Sequence, residues 1–232
     1  MVQQRAKPKT RRTRTKHDES KEPILLTPKN EKQEQYLEAL KQANQVIVFG
    51  PAGTGKTYCV ATFAANQYYL KNIHKIVITR PHVAVGKDIG FLPGTLEEKS
   101  APWALPVLDV LEKHLGKGTV ETALKNSNIE VAPLALMRGR SFENSFVICD
   151  EAQNITLPEL KMLVTRIGEG SRLVLNGDIQ QSDLKEADGL SKLVHLAKKH
   201  MLPIPIVEFG VEDIVRSDIC KSWIKVFVEE KI

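Results

Sequence analysis

Gly50-Pro51-Ala52-Gly53-Thr54-Gly55-Lys56-Thr57 is the stretch of this 232-residue chain whose residue types and spacing point most directly to chemistry. It fits GxxxxGK[ST], follows the apolar run "QVIVF" and leads into the helix-like "YCVATFAANQYY". Glycines let a backbone wrap tightly enough to aim its N–H groups at a phosphate. Lys56 could then reach the β- and γ-oxygens of ATP, and the Thr57 hydroxyl could ligate magnesium. A glycine-rich turn with a coincidental lysine would not require a strand before it and a helix after it. The eight residues are therefore read as a cradle for the phosphates of ATP.

A cradle alone does not hydrolyse ATP. Further along, "FVICDEAQN" delivers Asp150 and Glu151 at the end of another apolar run. An aspartate there can hold the Mg2+ shell, and the adjacent carboxylate can orient and deprotonate an attacking water. In isolation the pair could simply be two exposed acids closing a strand. Beside a phosphate loop it points to hydrolysis coupled to another process, because a simple nucleotide kinase would not need the second carboxylate.

Three arginines have no compulsory part in that chemistry. Arg80 follows "KIVIT", and "MRGR" places Arg138 and Arg140 around Gly139. Such guanidinium groups could grip a nucleic-acid backbone, or equally pair with Glu143 and neighbouring acids.

These residues need elements to position them. Short apolar runs at 45–50, 75–79, 129–133, 145–151, 172–178 and 205–209 end in polar residues or glycine. Helical patterns fall between and after them, near 56–70, 95–115, 157–167, 187–199 and 213–229. That alternation predicts an α/β fold, a mostly parallel sheet with helices on both faces, in which ligands bind beyond the carboxyl ends of the strands. Residues 81–128, rich in Pro, Gly and charge around "FLPGTLEEKSAPWALP", read as an insertion with its own helices.

Charge divides the chain. Residues 1–22 hold eight of the 33 Lys and Arg and three of the 28 Asp and Glu. The remainder is formally neutral, so the +5 of the whole chain resides in the tail. Residues 1–24 are expected to be a disordered basic tail, either a solubilising extension or an arm for nucleic-acid phosphates. Residues 25–232 are expected to form a single domain. No run approaches ~18 consecutive apolar residues. Together with three scattered cysteines (Cys59, Cys149, Cys220) that lack metal-site spacing, this gives the expectation of a cytoplasmic protein without membrane contact.

The motifs taken together resemble the PhoH-like family of RecA-type P-loop ATPases, related to the first motor domain of superfamily 1 helicases. The resemblance runs from about Pro28 to Arg216 and is carried by "TRP", "GFLPGTLEEK", "PLALMRGRSF", "DEAQN", "VTRIG", "GD" and "EDIVRS", in that order. It implies a RecA-like fold, and it implies that Gln33 reads the adenine edge. Asp178 and Gln181 in "GDIQQSD" match the motif that senses the γ-phosphate, although Ile179 and Gln180 stand where the family usually has Pro and Thr. Arg216 matches an arginine suited to transition-state charge, with Ser217 where a histidine is common. The resemblance implies single-stranded RNA or DNA as a partner, RNA foremost. The alternative is a nucleotide-dependent assembly or regulatory switch without helicase activity. About fifty residues follow the "GD" motif, too few for a second RecA-like lobe. Arg216 lies in a segment that need not reach its own cradle, so the chain is expected to form a cyclic homo-oligomer, a hexamer by analogy with related rings, in which Arg216 completes a neighbour's site.

Overall fold

The computed structural model describes residues 23, 25–81, 96–179 and 189–230. The basic tail, apart from Pro23, lies outside these residues, as does Gln181. Six strands, β1 (Gln45–Phe49), β2 (Lys75–Thr79), β3 (Ile129–Val131), β4 (Ser145–Cys149), β5 (Arg172–Gly177) and β6 (Ile206–Glu208), form one sheet in the order β3-β2-β4-β5-β1-β6. Every pairing is parallel. The strands read as continuous Val/Ile/Leu runs because both faces of a parallel sheet are covered.

Side-chain alternation divides these runs between two cores. Val46, Val48, Ile76, Ile78, Phe146, Ile148 and Val174 join one, under the helices α1 (Glu31–Gln42), α2 (Lys56–Tyr69), α3 (Leu96–Leu115) and α4 (Lys117–Lys125). Ile47, Phe49, Val77, Val147, Cys149, Leu173 and Leu175 join the other, under α5 (Leu157–Val164) and α6 (Gly189–Lys199). Each fully buried aliphatic or aromatic side chain contributes about 1.5–3 kcal/mol, so the sheet's position is over-determined. Cys59 and Cys149 are buried within these cores. Burial pushes the Cys59 thiol up to about 12 and raises that of Cys149 as well.

Three differences from the sequence reading bear on the site. α1 is a helix that the pattern left out, because Tyr36, Leu37, Ala39 and Leu40 are sparse among Lys, Glu and Gln. It is capped by the Asn30 side chain, which accepts from the backbone N–H of Gln33 at 2.8 Å. The 81–128 segment does contain its own helices, but they are not set apart. α3 packs along α2 and sends Ala104, Val107 and Leu111 into the same core. The expected helix at 213–229 is shorter: a 3-10 turn at Val211–Asp213 is followed by non-helical residues and then α7 (Asp218–Glu230). The intervening residues are what meet the cradle.

Candidate nucleotide site

β5 lies between β1 and β4, so the carboxyl ends of β1, β5, β4 and β2 stand in a row. The Gly50 N–H donates to the Gly177 carbonyl at 3.2 Å, and the Asp150 N–H donates to the Thr79 carbonyl at 3.0 Å. Together these four ends hold the cradle, Asp178, the acidic pair and Arg80 within one layer. A cavity of about 610 Å³ opens over them, of the size that takes small-molecule ligands.

The cradle's shape depends on its glycines. Gly50, Gly53 and Gly55 have φ of 138°, 83° and 86°, where an L side chain is strained. A Cβ at Gly55 would also stand 2.7 Å from Gln33 Nε2. Within the loop, Lys56 Nζ donates to the carbonyls of Gly50 at 2.6 Å and Pro51 at 2.9 Å. Burial lowers the Lys56 ammonium, opposed by the charges of Asp178, Asp150 and Glu151. Ala52 lines the cavity at the loop's turn, and the Thr54 hydroxyl donates to the Pro51 carbonyl at 3.1 Å.

Thr57 and Asp150 meet as their types suggested. Thr57 Oγ1 donates to Asp150 Oδ1 at 3.4 Å, a long contact. Burial raises the Asp150 carboxyl, adjacent Glu151 raises it further, and Arg80 and Lys56 oppose them. Two hard oxygens at this separation suit neighbouring ligands of magnesium, which takes oxygens at about 2.0–2.1 Å in octahedral geometry and completes its shell with phosphates and waters. Among the described residues no group of three or more His, Cys, Asp or Glu is placed to hold a metal unaided.

The carboxylate of Glu151 is held from both sides. Arg80 Nη2 lies 3.6 Å from Oε1, and Gln153 Nε2 donates to Oε2 at 2.7 Å. Gln153 Oε1 in turn accepts from the Asp178 N–H at 2.9 Å. This buried glutamine links the loop after β4 to the loop after β5, and sequence reasoning missed it. Its only signal was its place in "DEAQN", since its function depends on two strands distant in sequence becoming neighbours.

Gln33 and the Val215-Arg216 segment both contact the cradle. Gln33 Nε2 donates to the Thr54 carbonyl at 2.9 Å, and its Oε1 accepts from the Lys29 N–H at 2.9 Å. The side chain thus braces the loop, and the amide's capacity leaves one hydrogen and one oxygen lone pair beyond these two bonds. The Val215 N–H donates to the Gly53 carbonyl at 3.0 Å, and a Cβ at Gly53 would stand 2.9 Å from Arg216 Cγ. Arg216 lines the cavity of its own chain. The segment that need not reach its own cradle therefore does reach it, because residues 214–217 are non-helical.

The remaining arginines separate. Arg80 belongs to the acidic pair. Arg138 is exposed. Arg140 makes a two-pronged ion pair with Glu130 (2.5 and 2.8 Å), not with Glu143, and Lys75 joins at 2.5 Å. Hydrogen bonds from Arg140, partly offset by burial and aided by Lys75, hold the Glu130 carboxyl at about 2. A depressed folded value gives stability that is complete above the unfolded carboxyl's value near ~4.3 and is lost as pH falls through about 2. Urea unfolding should therefore show wild type more stable than Glu130→Gln at neutral pH, with the gap closing between pH ~4.3 and ~2. A gap that does not change with pH would remove the ionic account.

A phosphate loop between the first sheet strand and its helix, with an acidic pair at the end of a strand that is not its neighbour, defines a RecA-like P-loop fold. The family model described as PhoH-like protein matches residues 25–228, and the chain belongs to that family. It is 41% identical over 209 residues to Protein PhoH of Escherichia coli K12, covering 88% of this chain and 58% of that protein. The PhoH-like protein of Bacillus subtilis is 39% identical over 198 residues, covering 84% and 61% respectively. The chain thus spans only part of the length of the curated relatives it matches. Among solved structures, the SWI2/SNF2 ATPase core of Sulfolobus solfataricus in complex with dsDNA is similar over 81% of this chain and 47% of its own, with 17% identity and a TM-score of 0.45. No helix among the described residues is long and apolar enough to cross a membrane.

Proposed function

We propose that this chain binds ATP with magnesium, hydrolyses it, and couples hydrolysis to single-stranded nucleic acid, RNA in preference to DNA. The observation that carries the hydrolytic part is the convergence of Lys56, Thr57, Asp150, Glu151 and Asp178 around one cavity. The free donor and acceptor of Gln33 match the N7 and N6 edge of adenine, the pairing that glutamine amides make with that base. Thr57 and Asp150 would hold Mg2+, which when bound neutralises charge on the phosphate oxygens. Glu151 orients a water and takes its proton as the water oxygen bonds to the γ-phosphorus and the bond to the ADP oxygen breaks. Lys56 and Arg216 offset the charge that develops on the phosphoryl oxygens. Asp178, joined to Glu151 through Gln153, is proposed to sense the γ-phosphate, with Gln181 sharing that role.

Arg216 is assigned to its own subunit's nucleotide. The cyclic homo-oligomer, a hexamer by analogy with related rings, is the alternative in which Arg216 completes a neighbour's site. For nucleic acid, support comes from the +5 tail and the exposed Arg138. The alternative, a nucleotide-dependent switch that handles no strand, is favoured by the engagement of Arg80 and Arg140 with Glu151 and Glu130.

ATPase measurements with and without single-stranded RNA and DNA separate the two. The strand-coupled reading expects stimulation, greater with RNA. It also expects the protein lacking residues 1–22 to bind strands more weakly and with a shallower salt dependence, because eight basic side chains are gone. Hydrolysis indifferent to any strand would leave the switch.

A further inference from the structure

One face of α3 closes the nucleotide cavity. Pro106, Val110 and Lys113 line it beside Tyr58, the residue that follows Thr57 on α2. Lys113 Nζ lies 5.6 Å from the centre of the Tyr58 ring, and the His114 ring lies 6.1 Å from the same ring, tilted by 53°. His114 is itself buried and fixed to Thr62 of α2 by a 3.0 Å hydrogen bond. The turn of α3 that carries Lys113 is therefore anchored to the helix that follows the phosphate loop. Tyr58 keeps part of its ring exposed to the cavity.

We infer that Lys113, steered by Tyr58, is a nucleotide-binding residue that contacts the α-phosphate and ribose end of a nucleoside di- or triphosphate. The inference rests on the nucleotide reading above. In a phosphate loop the lysine reaches the β/γ end, and backbone N–H groups cradle the α/β-phosphates. Tyr58, two residues past Lys56 along α2, follows the lysine in that order, which assigns it and Lys113 to the α side. The charges of the cavity lining agree. Lys29, Lys56, Lys113 and Arg216 face Asp150, Glu151 and Asp178. Cations exceed anions by one with Lys113 and merely balance them without it. A polyanion entering such a cavity gains from each added cation, more so where walls exclude water. The cation–π contact keeps a long, flexible side chain over the site instead of free in solvent. The plain competing account is that Lys113, in the last turn of α3, only complements the helix dipole. That account assigns it no effect on nucleotide affinity.

The test is calorimetric binding of Mg·ATP and Mg·ADP to the full chain, with steady-state kinetics alongside. Lys113→Ala should weaken ATP and ADP by the same factor, about tenfold. KM should rise with kcat at saturation unchanged, and Lys113→Arg should restore affinity. Tyr58→Leu should give a smaller loss in the same direction, about two- to threefold. Wild-type affinity in Lys113→Ala, in a series where Lys56→Ala loses binding, would return Lys113 to the helix end and leave the nucleotide reading standing. A loss confined to ATP would place the contact at the γ end and overturn the assignment. A wild-type chain that binds neither nucleotide would sink the nucleotide reading itself, and the inference with it.

Discussion

Glu151→Gln protein is expected to hold ATP at wild-type affinity while turning it over about 10²- to 10⁴-fold more slowly, the range for removing a positioned general base. The amide keeps the size of the carboxylate but cannot accept the proton that water must lose. Affinity should survive because the groups that grip the phosphates, the cradle N–H groups, Lys56 and Thr57, are untouched. The amide does meet donors on both sides. Arg80 approaches Oε1 and Gln153 donates to Oε2, so an NH2 at either position faces a donor. A modest local rearrangement around Gln153 and the Asp178 N–H is therefore part of the expectation, and it should not reach the sheet. Rapid-quench hydrolysis and equilibrium ATP binding on the same preparation separate the two quantities. Turnover at the normal rate would show that another group takes the proton and that Glu151 only shapes the loop.

Arg216→Ala is expected to cost about 10³-fold or more in turnover, the scale on which an arginine contributes to phosphoryl transfer. Stability should change little, because the side chain is exposed, with its stem lying against Gly53. The geometry also gives a sharper expectation. Mixing Arg216→Ala with Lys56→Ala protein, each inactive alone, should recover no activity if, as proposed, each cradle is served by the arginine of its own chain. The Val215 N–H bond to the Gly53 carbonyl ties the two segments within one molecule. Recovery of activity in the mixture would reverse this assignment and reinstate an arginine supplied across a subunit contact.

Much of this protein is legible in its residues one after another. The cradle at Gly50–Thr57, the acidic pair Asp150-Glu151 and all six strands depend on local signals: glycines where the backbone needs positive φ, apolar runs that a parallel sheet buries on both faces, and polar residues at strand ends. Such signals act over a few residues, so reading them requires no knowledge of which strand lies beside which. What the tertiary structure decided depends on that adjacency. Gln153 bridges Glu151 and Asp178 only because β5 inserts between β1 and β4. Arg140 finds Glu130 rather than Glu143, and Arg80 finds Glu151, because β2 lies between β3 and β4. α1 escaped the pattern because a polar-rich helix is stabilised mainly by what it packs on. Arg216 reaches its own cradle, and Lys113 the cavity wall, through contacts across long stretches of chain. Pairings of this kind are selected by burial and by the row in which the strands assemble, and neither quantity is carried by any short stretch of sequence.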